Sequence, residues 1–310
     1  MVNLLYKVVR VLKKTLDPKP NEKILIVTDQ TLIELAQLFF DSASKLSKKV
    51  LVVQIPISKN HGVEPPKDVA KLMKEQDVVI MITTKSLSHT KARINATKSG
   101  VRVVSMPGLT KDMVKRLDLN YERLKRRNEL LIKILTKGSK VNVNTKNGTN
   151  IEMDIKDCKW FNDDGNYKSR GAFGNLPAGE VCVMPRNCNG VLVVDGSIAD
   201  FGKVKKVIIK VKDKKILDIK GIYKKDFINL LKRYGNDVKN IAEFGIGTND
   251  KALISGNTLE DEKVLGTIHV AFGNDCSFGG NVRIPLHIDC VIRNPEIIVD
   301  KKIRINDYLI

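Results

Sequence analysis

The sequence predicts an α/β chain in which an N-terminal doubly wound parallel-sheet domain (residues 1–138) is followed by a β-rich α+β domain (139–310). Two observations carry that expectation. The first part holds short runs dense in β-branched residues, each separated from the next by a segment of helical period, which is the alternation of βαβ units. Near residue 139 the character changes to short alternating strands broken by Asn, Asp and Gly turns (TKNGTN, NDDGN, RNCNG), as antiparallel sheets require. A chain of 310 residues also exceeds one ordinary core and suits two domains.

The opening MVNLLYKVVRVLKKTL places Val2, Leu5, Val9 and Leu12 on one helical face, with Lys7, Arg10, Lys13 and Lys14 away from it. It lacks the apolar centre of a signal peptide and predicts an amphipathic helix packed on a domain or on a partner chain. KILIVT (23–28), KVLVVQIP (49–56), DVVIMITT (77–84) and VRVVSMPG (101–108) each read as buried parallel strands. TLIELAQLFFDSASKL and PKDVAKLMKEQ supply helices between them. No G-x-G-x-x-G or G-x-x-x-x-G-K-[ST] motif follows any of these strands, so no nucleotide site is expected. The stretch 112–138 reads as one basic helix closed by Gly138 as its C-terminal cap. In the second domain, residues 202–225 alternate Lys with Val and Ile around Asp213-Lys214, which predicts a hairpin with one solvated face.

A net charge of +19 would suit a nucleic-acid partner. The lysines fall on solvated faces, however, without interleaved aromatics or zinc-finger spacing, so nucleic acid is not the expected partner. The longest apolar run, 78–82, is far short of the roughly 20 residues that cross a bilayer, and no membrane association is expected. Five cysteines, an odd number without a C-x-x-C pair, read as reduced thiols of a cytoplasmic protein.

Two of the four histidines lie close together near the C-terminus. His287 and Asp289 sit two apart in a strand-like run, so both side chains leave one face. His269, among Ile, Val and Phe in GTIHVAF, needs a polar partner if it is buried. Glu180 in NLPAGEVCVMP and Glu243 in IAEFGIGTN are flanked by apolar residues that would bury an uncompensated charge, which costs several kcal/mol. A cation removes that cost. Three carboxylates, two divalent ions and a bridging hydroxide carry no net charge, and nitrogen and oxygen donors without thiolate favour Zn, Co, Mn or Fe. The second domain is therefore expected to bind metal. Elsewhere, Thr258 with Asp261 fits a capping box, and the acids through Glu262 suit a first helical turn. His61 and His89 read as turn residues, and Arg283 as an exposed side chain.

At the five polar residues the chain resembles the thermophilic metallo-aminopeptidase family, the aminopeptidase T and S group. NLPAGE, AEFGIGTN, GNTLEDEKVLGTIHVAFG and PLHID look like that family's site segments in the right order; HGVEPPKDVAKLM, TTKSLSHTKAR and VRVVSMPG resemble its first domain. The resemblance implies that Glu180, Glu243, His269, His287 and Asp289 hold a pair of divalent metals. It implies a cytoplasmic homodimer that releases N-terminal residues from peptide substrates, with Glu180 or Glu243 taking the proton of a metal-activated water. Two features depart from that family. Cys276 stands where the aminopeptidases carry a tyrosine, and the stretch between the two histidines is shorter. Two histidines and one aspartate are also the ligand set of mononuclear Fe(II) oxygenases, and ring-cleaving dioxygenases resemble this same family. Under that alternative one iron binds His269, His287 and Asp289, and the glutamates support the ligands or contact substrate. A non-catalytic, basic metal-binding protein is the third reading.

Overall fold

The structure is a computed structural model that describes residues 2–308, with the side chains of Val2 and Asn3 outside the description. It divides into two compact units. One comprises the chain up to Tyr121 together with Gly165–Ala178, and the other comprises Glu122–Asp164 with the chain from Gly179 onward.

The first unit carries a five-stranded parallel sheet in the order Lys49–Ile55, Lys23–Asp29, Val78–Ile82, Arg102–Ser105, Phe173–Asn175. Every residue of Val78–Ile82 is buried, as a strand covered on both faces must be. Lys49–Ile55 differs from the expected buried strand. It has a neighbour on one side only, and Leu51 is 48% exposed. The first helix, Val2–Thr15, buries Val8, Val11 and Leu12, with Leu16 just beyond it. Its buried face is thus rotated from the expected Val2, Leu5, Val9 and Leu12, of which the Val2 side chain lies outside the described residues.

The single helix expected over 112–138 is instead two, Lys111–Arg116 and Tyr121–Leu135. Between them Asp118 accepts hydrogen bonds from Arg10 and Lys14 of the first helix, so the break serves a tertiary ion pair. Gly138 lies outside the positive-φ set, so it is not a left-handed cap. A Cβ there would lie 2.4 Å from Val299 Cγ1, which makes glycine a requirement of close packing.

The boundary at 121/122 lies upstream of the expected 138/139 for a packing reason. Leu131 and Leu135 of the helix Tyr121–Leu135 are buried in the core of the second unit. Conversely, Phe173–Asn175 returns to the first unit by pairing with Arg102–Ser105.

The second unit contains two seven-stranded sheets, all of whose pairings are antiparallel. One runs Lys215–Lys220, Val207–Lys212, Asn187–Val194, Asn150–Asp154, Lys140–Asn144, Glu296–Val299, Ile303–Arg304. The other runs Gly202–Lys203, Ser197–Ile198, His287–Ile292, Ile268–Gly273, Ile241–Gly247, Glu180–Val183, Phe161–Asp163. One apolar cluster joins them, including Val143, Ile209, Phe244 and Val270. The predicted hairpin turns at Asp213-Lys214, both with positive φ, as a two-residue turn matched to strand twist demands. Among the described residues no helix is long and apolar enough to cross a membrane.

Candidate metal centre

Four neighbouring strands of the second sheet build the site, and the period-2 alternation of side chains decides which residues reach it. Gly273 pairs with His287, Ala271 with both Asp289 and Glu243, Gly245 with His269, and Gly247 with Glu180. All of these residues share one face. The other face carries Val181, Phe244, Ile246, Val270, Ile288 and Cys290, which enter the core. On the site face each polar side chain therefore has glycine or alanine beside it across the strand, and this leaves room for carboxylates and imidazoles to lean together.

Gly245 shows how tight that allowance is. A Cβ there would lie 2.1 Å from Cε1 and Nε2 of His269, so no side chain fits while the ring keeps its place. Gly245→Ala is expected to displace the His269 ring and lower metal affinity by about 10–100-fold, the range seen when a ligand loses its support. Isothermal titration with Fe(II) or Co(II) checks this. Unchanged affinity would show that the ring position does not matter.

The structure brings the five polar residues expected from the sequence close to one another. Three groups have donor atoms that lie within 4.8 Å of one another: Glu180 with Glu243 and His269, Glu243 with His287 and Asp289, and Glu262 with His269 and Asp289. Glu243 spans both imidazoles, its Oε1 3.4 Å from His269 Nε2 and its Oε2 3.0 Å from His287 Nε2. Glu180 Oε2 is 3.1 Å from His269 Nε2, and Asp289 Oδ1 is 3.5 Å from His287 Nε2.

Hydrogen bonding indicates what the centre can hold. His287 Nδ1–H donates to the Asn274 carbonyl at 2.8 Å, which fixes the proton on that nitrogen and leaves Nε2 as the lone-pair side of a neutral ring. Yet Nε2 faces two carboxylates. Such a contact repels unless a proton or a metal ion lies between the atoms. His269 repeats the problem, since its buried Nδ1 has no partner and its Nε2 meets Glu180 and Glu243. Burial works against charge on both rings, but the carboxylates prevail and hold both imidazoles well above their ordinary pKa. Glu243 is held well below the carboxylate range: burial opposes this, and the two histidines outweigh it. A buried set of imidazole and carboxylate donors turned toward one another fits a divalent cation.

Sequence reasoning missed Lys263 altogether. It is fully buried, with Nζ 2.5 Å from Glu180 Oε1, 2.7 Å from Glu262 Oε1 and 3.9 Å from Asp163 Oδ2. Glu262, read from the sequence as an acid of a first helical turn, lies within reach of His269 and Asp289, and burial pushes its pKa up to about 8. The cap of the helix Thr258–Asp261 is Asn257 rather than Thr258. Asp261 is structural, accepting from the Ser255 and Gly256 amides. Cys276 donates its thiol to the Val282 carbonyl, and no candidate metal group includes a cysteine among the described residues. Arg283 is exposed, as expected, and precedes the strand His287–Ile292.

A family model for 2,5-dihydroxypyridine 5,6-dioxygenase (NicX) matches residues 7–307. The chain belongs to that family. Among solved structures, 2,5-dihydroxypyridine dioxygenase from Pseudomonas putida KT2440 superposes with a TM-score of 0.84 at 18% identity, over 96% of this chain and 94% of that one. AmpT from Thermus thermophilus does so with a TM-score of 0.71 at 13% identity, with the same coverage. These two likenesses show the fold. No curated protein matches the sequence significantly.

The NicX match corrects the functional expectation. The metallo-aminopeptidase reading, with its peptide substrates and hydrolase chemistry, gives way to membership of a dioxygenase family. The physical reason is that nitrogen and oxygen donors of this kind suit a hydrolytic or an oxygen-activating metal alike, so the donor set read from the sequence did not by itself decide the chemistry. Cys276 was, with the shorter stretch between the histidines, the departure from the aminopeptidase resemblance that the sequence offered.

Proposed function

We propose that this protein is a mononuclear, iron(II)-dependent dioxygenase that opens a hydroxylated pyridine ring, with His269, His287 and Asp289 as the metal ligands. The family match over residues 7–307 is the observation that carries this reading. Ferrous iron supplies the one-electron chemistry that lets dioxygen react with an electron-rich ring. One iron takes the place of the pair of divalent metals, read as Zn, Co or Mn, in the aminopeptidase reading.

The remaining roles follow from the side chains. Asn274 presents His287 through Nε2 by holding its Nδ1 proton. Lys263 engages Glu180 Oε1 and Glu262 Oε1, and we assign those carboxylates to supporting the centre. Glu243 lies beside both imidazoles, and we assign it to orienting the two rings.

The test is oxygen uptake with 2,5-dihydroxypyridine, using protein loaded anaerobically with Fe(II). Stoichiometric oxygen consumption and loss of the ring absorbance are expected, with neither when Zn(II) replaces iron. Turnover with zinc, or none with iron across a panel of dihydroxypyridines, contradicts the reading.

A further inference from the structure

A small aromatic substrate does not account for the chain's +19 charge. Residues 205–233 hold eleven lysines and arginines against three aspartates and so supply +8 of it. The charge is concentrated on the hairpin Val207–Lys212 and Lys215–Lys220 and on the helix Lys224–Tyr234. Lys206, Lys210, Lys212, Lys215, Lys220 and Lys225 are exposed. The ion pairs formed along this segment use Lys214 and Lys224 instead, with Asp275 and Asp218. Lys212 stands directly opposite Lys215 across the hairpin, an arrangement that is unfavourable until an anion meets it.

The two most exposed large aliphatic side chains among the described residues lie in the same segment. Ile222, in the turn between strand and helix, is 78% exposed, and Leu217, on the edge strand, is 62% exposed. The helix meanwhile buries Phe227 in the core, so the corner is anchored. Phosphates of a nucleic acid would satisfy the lysines but give two aliphatic tips nothing to contact. An anionic bilayer meets both needs, with apolar side chains entering below the headgroups and lysines level with them.

We propose that this corner docks the protein on an anionic lipid bilayer, with Ile222 and Leu217 inserted and the flanking lysines facing the headgroups. This departs from the sequence expectation of no membrane association and does not depend on the dioxygenase reading.

The test is co-sedimentation of the full chain with phosphatidylglycerol vesicles and with phosphatidylcholine vesicles. Binding to phosphatidylglycerol alone is expected, and it should fade as salt rises from about 0.1 to 1 M, where screening shortens to roughly 3 Å. Ile222→Asp with Leu217→Asp should lower partitioning by about tenfold or more. Lys212→Glu with Lys220→Glu should do so independently. Both pairs alter exposed positions, and a retained melting temperature confirms folding. The proposal is overturned by equal binding to both lipids, by no binding to phosphatidylglycerol, or by partitioning that both variant pairs leave intact. It is also overturned if these lysines bind duplex DNA while vesicles are ignored, or if light scattering shows that the variants break a complex between copies of the chain.

Discussion

Replacing His287 with alanine is expected to empty the metal centre and abolish oxygen uptake. The ring's Nε2 lies 3.0 Å from Glu243 and 3.5 Å from Asp289, and its other nitrogen is committed to the Asn274 carbonyl. Loss of a residue that merely supports a ligand costs about 10–100-fold in metal affinity, so loss of the ligand itself should exceed a hundredfold. Turnover should fall by at least as much. His287 stands at the start of its strand, with its side chain 11% exposed and beside Gly273 across the strand rather than in the apolar core on the other face, so the fold should survive with an unchanged circular dichroism spectrum. Metal content after dialysis, measured beside that spectrum, checks the prediction. A folded His287→Ala protein that keeps its iron would remove this residue from the ligand set.

Lys263→Met is expected to have the largest effect on stability. The ammonium is fully buried and sits among Glu180, Glu262 and Asp163. Methionine fills much of the same volume but leaves carboxylates buried without their cation. Breaking a buried ion pair from one side costs about 3–5 kcal/mol, which for a domain of this size lowers Tm by roughly 6–20 °C. Urea unfolding of the metal-free protein gives the difference directly. A change below about 1 kcal/mol would show that the carboxylates do not depend on Lys263.

Period-2 alternation and β-branched composition were enough to anticipate the parallel strands and the Asp213-Lys214 hairpin. The convergence of Glu180, Glu243, His269, His287 and Asp289 was legible for a related reason. Each stands in an apolar, strand-like run, the two glutamates beside glycines, where a charged or polar group needs a partner. Lys263 gave no comparable signal. It follows Asp261 and Glu262 in what reads as a solvated helical turn, and only tertiary placement buries it against Glu180, some 80 residues earlier. The same holds for Phe173–Asn175, three residues too short to show a period, whose strand identity comes from pairing with Arg102–Ser105.

The chemistry was harder to read than the site. Ligand segments report which donors surround a cation, and those donors serve hydrolysis and ring cleavage alike. What separates the two is how the substrate is held, and there the chain offered only Cys276 and the shortened stretch between the histidines. Cys276 turns its thiol to the Val282 carbonyl inside that compact loop, so it supplies no counterpart to a phenol hydroxyl.

The most direct measurement is metal analysis by mass spectrometry of protein purified anaerobically without chelator, beside His287→Ala prepared in the same way. The account predicts one iron per native chain and almost none in the variant. Two ions per native chain, or iron retained in full by the variant, would contradict it.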